Sequence, residues 1–585
     1  MLSSAPAAQF GRVILVRGSQ ARVGLLAASQ MGLAEVRATV GRFISIRCAG
    51  SAIVAIVTEV SSEHLPPGSP YMAVASVDLL GEILGSGSSQ RFQRGVTSYP
   101  TIGDSAELTT NQELRTIYTP ARSDHINVGT LQQDPTVMAY IDVEEMLNKH
   151  FAVLGSTGVG KSSGVSLLLN EILLARPNLR VFLLDVHNEY GRCFGSRALV
   201  LNPRNLKLPF WLFNFEEIVD VFFGGRPGVP EELEILSEVI PLAKALYTQY
   251  QNSDRLGLKR VDPKTVGYTV DTPVPYRLVD LIAQIDERMG KLENRSSRII
   301  YHKLLSRIET VKNDPRYAFM FDNANVGGDT MADVISHLFR MPANGKPMTI
   351  MQLAGFPAEV VDSVVSVVCR MAFDFGLWSD GASPMLFVCE EAHRYASADR
   401  SIGFGPTRKA VSRIAKEGRK YGVYLALITQ RPAELDATII SQCSTLFAMR
   451  MANDRDQALL RSAVSDAAAN LLSFVPSLGT REVLAFGEGV ALPTRLRFKE
   501  VPPHQLPRSE ATIATVPTSS RGQDLHFVTT VLERWRGATS AREVPNDPGF
   551  LEKPQLQPRT ADAPMLQPSM GFDPDRFQLL KKPLR

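Results

Sequence analysis

Phe151-Ala-Val-Leu154 runs directly into Gly155-Ser-Thr-Gly158-Val-Gly160-Lys161-Ser162, and this stretch decides the reading of the chain. The first part is a short apolar run of the kind that makes a buried strand. The second matches the pattern G-x-x-x-x-G-K-[ST], and a helical segment opens at Lys161. The chemistry explains the residue types. Glycines let the backbone curl into a concave nest of N–H groups. The N-terminus of the following helix adds the positive end of its dipole. Lys161 brings a charge suited to β- and γ-phosphates, and Ser162 a hydroxyl suited to Mg2+. Gly155, Ser156, Thr157, Gly158, Val159, Gly160, Lys161, Ser162 and Ser163 are therefore expected to cradle ATP, with Ser162 on Mg2+.

Working outward, the site needs an acid to manage the metal and a water. Met385-Leu-Phe-Val-Cys389 reads as another buried strand and ends in Glu390-Glu391-Ala-His393. Open α/β sheets bind ligands at the carboxyl ends of their strands. Glu390 is expected on the Mg2+ shell and Glu391 on the attacking water. The competing reading is a solvated acidic helix start. Val423 to Thr429 is a third such strand, ending in Gln430-Arg431-Pro432. A polar residue at that tip can sense the γ-phosphate, and Gln430 is the candidate; an ordinary loop residue is the alternative.

These strands belong to a longer series with Arg180–Asp185, Met348–Leu353, Leu446–Met451, Glu482–Phe486 and Thr494–Phe498. Apolar strands alternating with helices predict an α/β fold with a doubly wound, mostly parallel sheet. The core divides into residues 121–212 and 345–502, interrupted by a helical-bundle insertion over 213–344. Residues 1–120 read as short strands, among them Arg12–Arg17, Gln20–Leu26, Phe43–Arg47 and Ile53–Val60. That pattern fits a small β-barrel and fits a sandwich equally well. Residues 503–585 form a Pro-, Arg- and Gln-rich extension, helical at Gln523–Arg536 and otherwise extended or disordered.

Bulk composition narrows the class. The chain has 585 residues, 44% hydrophobic and 21% charged, as expected of a globular protein with several structural units. A net charge of +3 means any nucleic-acid binding must come from local basic loops. Five scattered cysteines without a C-x-x-C pair argue against a disulfide framework or a zinc site. No signal peptide and no membrane span are expected, and a cytoplasmic location follows.

An ordered set of segments resembles HerA ATPases of the HerA/FtsK superfamily. It comprises His150 to Ser162, Leu184-Asp-Val-His-Asn-Glu-Tyr-Gly191, Ile414-Ala-Lys-Glu-Gly-Arg-Lys-Tyr-Gly422, Thr429-Gln-Arg-Pro432 and Leu435 to Cys443. The N-terminal strands are similar to the small barrel in front of such cores, closing near Tyr99-Pro-Thr-Ile-Gly103. The resemblance implies a RecA-like ATPase core assembled as a homohexamer that moves double-stranded DNA. It also implies an effector partner, a nuclease or a sirtuin-like protein, in DNA processing or anti-phage defence. It places Asp185 and Glu189 near the nucleotide, where helix-cap and loop roles compete. It leaves one cation to be supplied by a neighbouring subunit: Arg419 first, Arg413 second, both on a predicted helix Thr407–Tyr421 shared with Arg408, Lys409, Lys416 and Lys420. Two other readings stay open: a motor working at a membrane, and a hexameric scaffold that regulates an effector with ATP as a switch. The chain departs from the usual pattern by carrying Glu390 where Asp is commoner, and in its long insertion and tail.

Overall fold

The structure, a computed structural model, describes residues 9–26, 39–62, 70–85, 89–119, 124–253, 267–292, 294–322, 328–401, 403–463 and 470–508, with 528, 529 and 532. The described residues belong to one compact unit. The helix expected at Gln523–Arg536 and the rest of the extension past residue 508 lie outside the described residues, those three positions apart.

The N-terminal strands are β1 (Gln9–Arg17), β2 (Gln20–Leu26), β3 (Phe43–Cys48), β4 (Ser51–Ser61), β5 (Tyr71–Leu84), β6 (Arg91–Arg94) and β7 (Ser105–Leu108). They pair in the order β2-β1-β7-β3-β4-β5-β6, and a further β2–β5 pairing closes six of them into a barrel. Alternation along β4 shows how it is filled. Ile53, Ala55 and Val57 belong to the barrel's own core, whereas Val54 and Ile56 face outward into the main core of the molecule. This double duty is why Ile53–Val57 reads as a continuous apolar run. The helix Asn111–Tyr118 follows, started by a capping box of Thr110 and Glu113. Its last residue bonds the Thr494 hydroxyl through the Tyr118 phenol.

The second sheet contains β8 (His125–Leu131), β9 (Met138–Asp142), β10 (His150–Leu154), β11 (Arg180–Asp185), β12 (Ala198–Leu201), β13 (Met348–Gln352), β14 (Met385–Glu390), β15 (Val423–Thr429), β16 (Cys443–Ala448), β17 (Glu482–Gly487) and β18 (Thr494–Phe498). Their order is β12-β13-β11-β14-β15-β10-β16-β17-β18-β8-β9. From β12 to β16 all neighbours are parallel; from β16 to β9 all are antiparallel. The fold is α/β, a sheet with a parallel half and an antiparallel half, preceded by a closed barrel. In the parallel half β10, β11, β13, β14, β15 and β16 are almost wholly buried, as strands covered on both faces must be.

Some bounds differ from the sequence expectations. The strand expected at Leu446–Met451 is Cys443–Ala448. The helix expected over Thr407–Tyr421 is Gly405–Glu417 and tightens to a 3-10 turn over Gly418–Tyr421. At the start of that turn a Cβ on Gly418 would sit 2.5 Å from the Val423 carbonyl oxygen, so the chain passes too close to β15 for anything but glycine. The hairpin β8–β9 and the edge strand β12 escaped the sequence reading altogether.

Between β12 and β13 the chain is helical, with helices Phe215–Phe223, Pro230–Ser253, Leu278–Gly290, Arg295–Lys312, Ala318–Phe321 and Met331–Phe339. One buried carboxylate fastens this region to the sheet. Glu217, fully buried, accepts from Arg370 at 2.8 and 3.2 Å and from the Ser366 hydroxyl at 2.8 Å. Arg370 and Ser366 belong to the helix Val361–Trp378 that leads into β14.

Candidate active site

The phosphate loop leaves the buried tip of β10 between β15 and β16. Beneath it His150 bridges its neighbours: the Leu425 N–H donates to Nδ1 and Nε2 bonds the Ala415 carbonyl, both at 2.9 Å. Burial pushes this imidazole down to a pKa of about 4, so it stays neutral and rigid. Gly155 cannot be larger, because a Cβ there would meet Met449 Cβ at 2.8 Å. Gly158 and Gly160 adopt φ of +78° and +94°, a region that L side chains resist. The helix Lys161–Ala175 then begins with no side-chain cap. Its first-turn N–H groups thus face the loop without a side-chain acceptor, as an anion site requires.

Lys161 is 7% exposed, and its Nζ donates to the Gly155 carbonyl at 3.4 Å. Burial lowers its pKa, while the charges of Glu391, Glu390 and Glu189 oppose that shift. Among the described residues no carboxylate lies within ion-pairing distance of it. A buried ammonium with only a carbonyl partner is costly unless an anion joins it.

The acids arrive from β14, which is separated from β10 by β15 alone. Adjacent strands lie about 4.8 Å apart, so the tips of β10 and β14 flank a gap of about 10 Å, enough for a terminal phosphate and a water. Glu390, the last residue of β14, accepts the Val186 N–H at 3.0 Å. Burial first, then the nearby charge of Asp185, pushes its pKa up to about 8. Asp185 is fully buried and engages the Glu189 and Tyr190 N–H groups, one on each oxygen at 3.0 Å. Its pKa rises to about 6 by burial. Asp185 thus shapes the loop that carries Glu189, and that loop also holds the buried Tyr190, whose hydroxyl lies beside Ser162 without completing a hydrogen bond.

Glu391 follows in a left-handed conformation, φ +48° and ψ +48°. A 3-10 turn, Ala392–Arg394, comes next where a helix start was the competing reading. A non-glycine residue in this region stores roughly 1–2 kcal/mol of strain. The strain aims the carboxylate inward: Gln430 Nε2 donates to Glu391 Oε1, and Thr157 Oγ1 of the phosphate loop donates to Gln430 Oε1. His393 Nδ1 stands 3.4 Å from Glu391 Oε2, and His187 Nε2 stands 3.7 Å from Oε1. Glu391 Oε2 is buried without a hydrogen bond. Loop, Gln430 and Glu391 thus form one hydrogen-bonded line across three strand tips, with one carboxylate oxygen still unengaged.

Arg413 and Arg419 are not in this cluster. Arg419 precedes the amino end of β15, whereas Gln430 follows its carboxyl end, so a strand length of roughly 20 Å separates Arg419 from the phosphate loop of its own chain. Arg413 stacks over Phe373 at 4.1 Å and pairs with Asp374 at 3.2 Å. Arg419 is exposed and forms no ion pair with a described residue. Sequence reasoning gave no role to His187 or His393, although both stand in quoted motifs. It passed over Arg481, which contacts the loop, because only its backbone conformation singles it out.

The uncapped amide nest, the buried unpaired Lys161 and the unbonded oxygen of Glu391 fit ATP and Mg2+. Among the described residues no group of three or more His, Cys, Asp or Glu side chains could hold a metal alone. A magnesium ion here would draw most of its ligands from phosphate and water.

One consequence is measurable without nucleotide or metal. A carboxyl whose folded pKa is raised stabilises the fold below its unfolded value, near 4.5, and loses that contribution as pH climbs through about 8. The loss accumulates at up to roughly 1.4 kcal/mol per pH unit. Glu390→Gln keeps an oxygen for the Val186 amide and cannot ionise. We expect it to raise the melting temperature by several degrees at pH 9 and hardly at all at pH 5, measured by calorimetry in EDTA.

Residues 126–372 match the family model described as "Helicase HerA, central domain". This central stretch is similar to the central domain of HerA helicases. The HerA match ends within the helix that leads into β14, but similarity to individual HerA proteins extends over more of the chain. The DNA double-strand break repair helicase HerA of Pyrococcus furiosus is 26% identical over 411 residues, covering 65% of this chain and 71% of that protein. A probable helicase of Methanocaldococcus jannaschii is 26% identical over 378 residues, covering 63% of this chain; the chain spans 66% of that relative's length. Among solved structures, VirB4 of Thermoanaerobacter pseudethanolicus aligns with a TM-score of 0.43 at 16% identity, covering 66% of this chain and 98% of that one. No helix among the described residues is long and apolar enough to cross a membrane.

Proposed function

We propose that this HerA-type protein hydrolyses ATP to move double-stranded DNA, working as a homohexameric ring with a nuclease or other effector. The observation that carries the hydrolytic part is the line Thr157–Gln430–Glu391, which couples the phosphate loop to a carboxylate whose Oε2 is buried without a hydrogen bond. Lys161 and the loop amides from Thr157 to Ser163 hold the phosphates, the Gly155 and Ser156 N–H groups being given to the Thr429 and Arg450 carbonyls. Ser162 and Glu390 would hold a magnesium ion, which would supply neutralisation of the charge developing on the phosphate oxygens. Glu391 orients the water and accepts its proton through the unengaged oxygen. Gln430, bonded to both sides, exchanges partners when a terminal phosphate arrives and so reports it. Glu189 borders the site through its charge on Lys161 and Glu390. Asp185 supports this pocket from beneath.

The missing cation comes from the neighbouring subunit. Arg419 suits the role better than Arg413 because it is exposed and unpaired among the described residues, while Arg413 is already engaged. Its distance from the loop of its own chain supports action in trans. The DNA part rests on the HerA match and on relatives named for double-strand break repair. With a net charge of only +3, DNA would be gripped through its phosphates by a few basic loops repeated around the ring.

Steady-state ATPase measured with and without linear duplex DNA tests this reading. A translocase should accelerate about tenfold or more, with the stimulation fading as salt rises. Turnover indifferent to DNA but responsive to a co-purified effector would replace the motor by a scaffold that uses ATP as a switch.

A further inference from the structure

Arg481 occupies the left-handed region, at φ +65°, one residue before β17. An L side chain resists that conformation and glycine does not. The backbone has clear work there: its N–H donates to the Val159 carbonyl and its carbonyl accepts the Phe498 N–H, both at 3.0 Å. Arg481 thereby ties the phosphate loop to β18. Glycine would make both bonds without strain, so the backbone gives no reason for an arginine.

The side chain does. Its Cγ lies 3.4 Å from the point a Cβ on Gly160 would occupy, so the stem rests on the glycine that opens the helix Lys161–Ala175. The side chain is 30% exposed, and its ion partner among the described residues is Glu500 at 3.9 Å, itself 87% exposed. A pair that long and that wet contributes little. The guanidinium is therefore a poorly neutralised charge at the end of a partly exposed side chain whose stem rests on the loop. It meets the loop at Val159–Gly160, whereas the Gln430–Glu391 line meets it at Thr157.

We propose that Arg481 is a nucleotide-binding residue of this site, adding a second cation in cis to the phosphate chain of a nucleoside di- or triphosphate, on the side away from Glu391. The inference rests on the reading of the loop as a nucleotide site. Because Arg481 stands away from the hydrolytic carboxylate, it strengthens the binding of ATP and ADP alike and leaves the chemical step alone. Because it acts within one chain, it does so whatever the state of assembly.

Arg481→Gly tests this cleanly, since it removes the guanidinium, keeps both backbone bonds and relieves the strain. Its melting temperature should equal or exceed that of the parent. Calorimetric titration with ATP and with ADP at low salt should show affinity about tenfold weaker for each, the worth of one charge-assisted contact, and the difference should shrink as salt rises. KM for ATP should rise while kcat stays within about twofold. Arg481→Lys should recover part of the affinity. Unchanged affinities in Arg481→Gly, or a fall in kcat with affinities intact, would overturn the proposal. The parent protein titrated alongside separates the two levels: if it binds neither nucleotide, the reading of the loop itself fails.

Discussion

Lys161→Ala is expected to bind ATP and ADP at least a hundredfold more weakly than the parent protein in calorimetric titration. The ammonium is nearly buried, has only the Gly155 carbonyl as a hydrogen-bond partner, and feels three carboxylates without pairing with any. Phosphate oxygens would be its first strong partners. Charge-assisted contacts of this kind contribute roughly 1.5–3 kcal/mol each, and two phosphates lie within reach of one such lysine. Their sum, about 3 kcal/mol or more, sets the hundredfold floor. Misfolding does not mimic the effect: alanine removes a desolvated charge, so the nucleotide-free melting temperature should hold or rise. Titration curves that superimpose on the parent's would mean that the cradle serves some other purpose.

Glu391→Gln should do the opposite, keeping the nucleotide and losing turnover. Its amide oxygen can still accept from Gln430, so the line to Thr157 survives. What disappears is basicity at the unengaged oxygen. Loss of a positioned general base typically lowers the rate by about 10²–10⁴. We expect kcat to fall in that range, with nucleotide affinity changed less than threefold. Radiolabelled ATP should then be recovered unhydrolysed from the isolated complex. Parent-like turnover would remove Glu391 from the role of base and leave it a buried partner of Gln430 alone.

How much of this was legible beforehand follows from what periodicity encodes. Apolar runs at Phe151–Leu154, Met385–Cys389 and Val423–Thr429 announce buried strands, and the polar residues after each run announce strand tips. Which strands are neighbours is a long-range fact. Nothing local says that β15 separates β10 from β14, yet that order is what lets Gln430 bridge Thr157 and Glu391. The barrel was half legible for a similar reason: alternation gives strands, and only the β2–β5 pairing distinguishes a closed barrel from a sandwich. Arg419 could be placed on a helical segment but not at the amino end of β15, opposite the phosphate loop. Arg481 carried no signal, because its distinction is a backbone angle that an arginine does not advertise.

The flank of the large sheet joins β8, which begins at residue 125, to β18, which ends at residue 498, with Leu131 opposite Leu496. A ribosome must therefore release almost the whole ATPase region before the hairpin made first finds its partner. Until then one edge of β8 and one of β16 stand open, and chains held in that state will associate edge to edge. Chains truncated between β17 and β18, which leave β8 and β17 each with an open edge, should be recovered mainly as aggregates, even though they retain every residue assigned here to phosphate, metal and water.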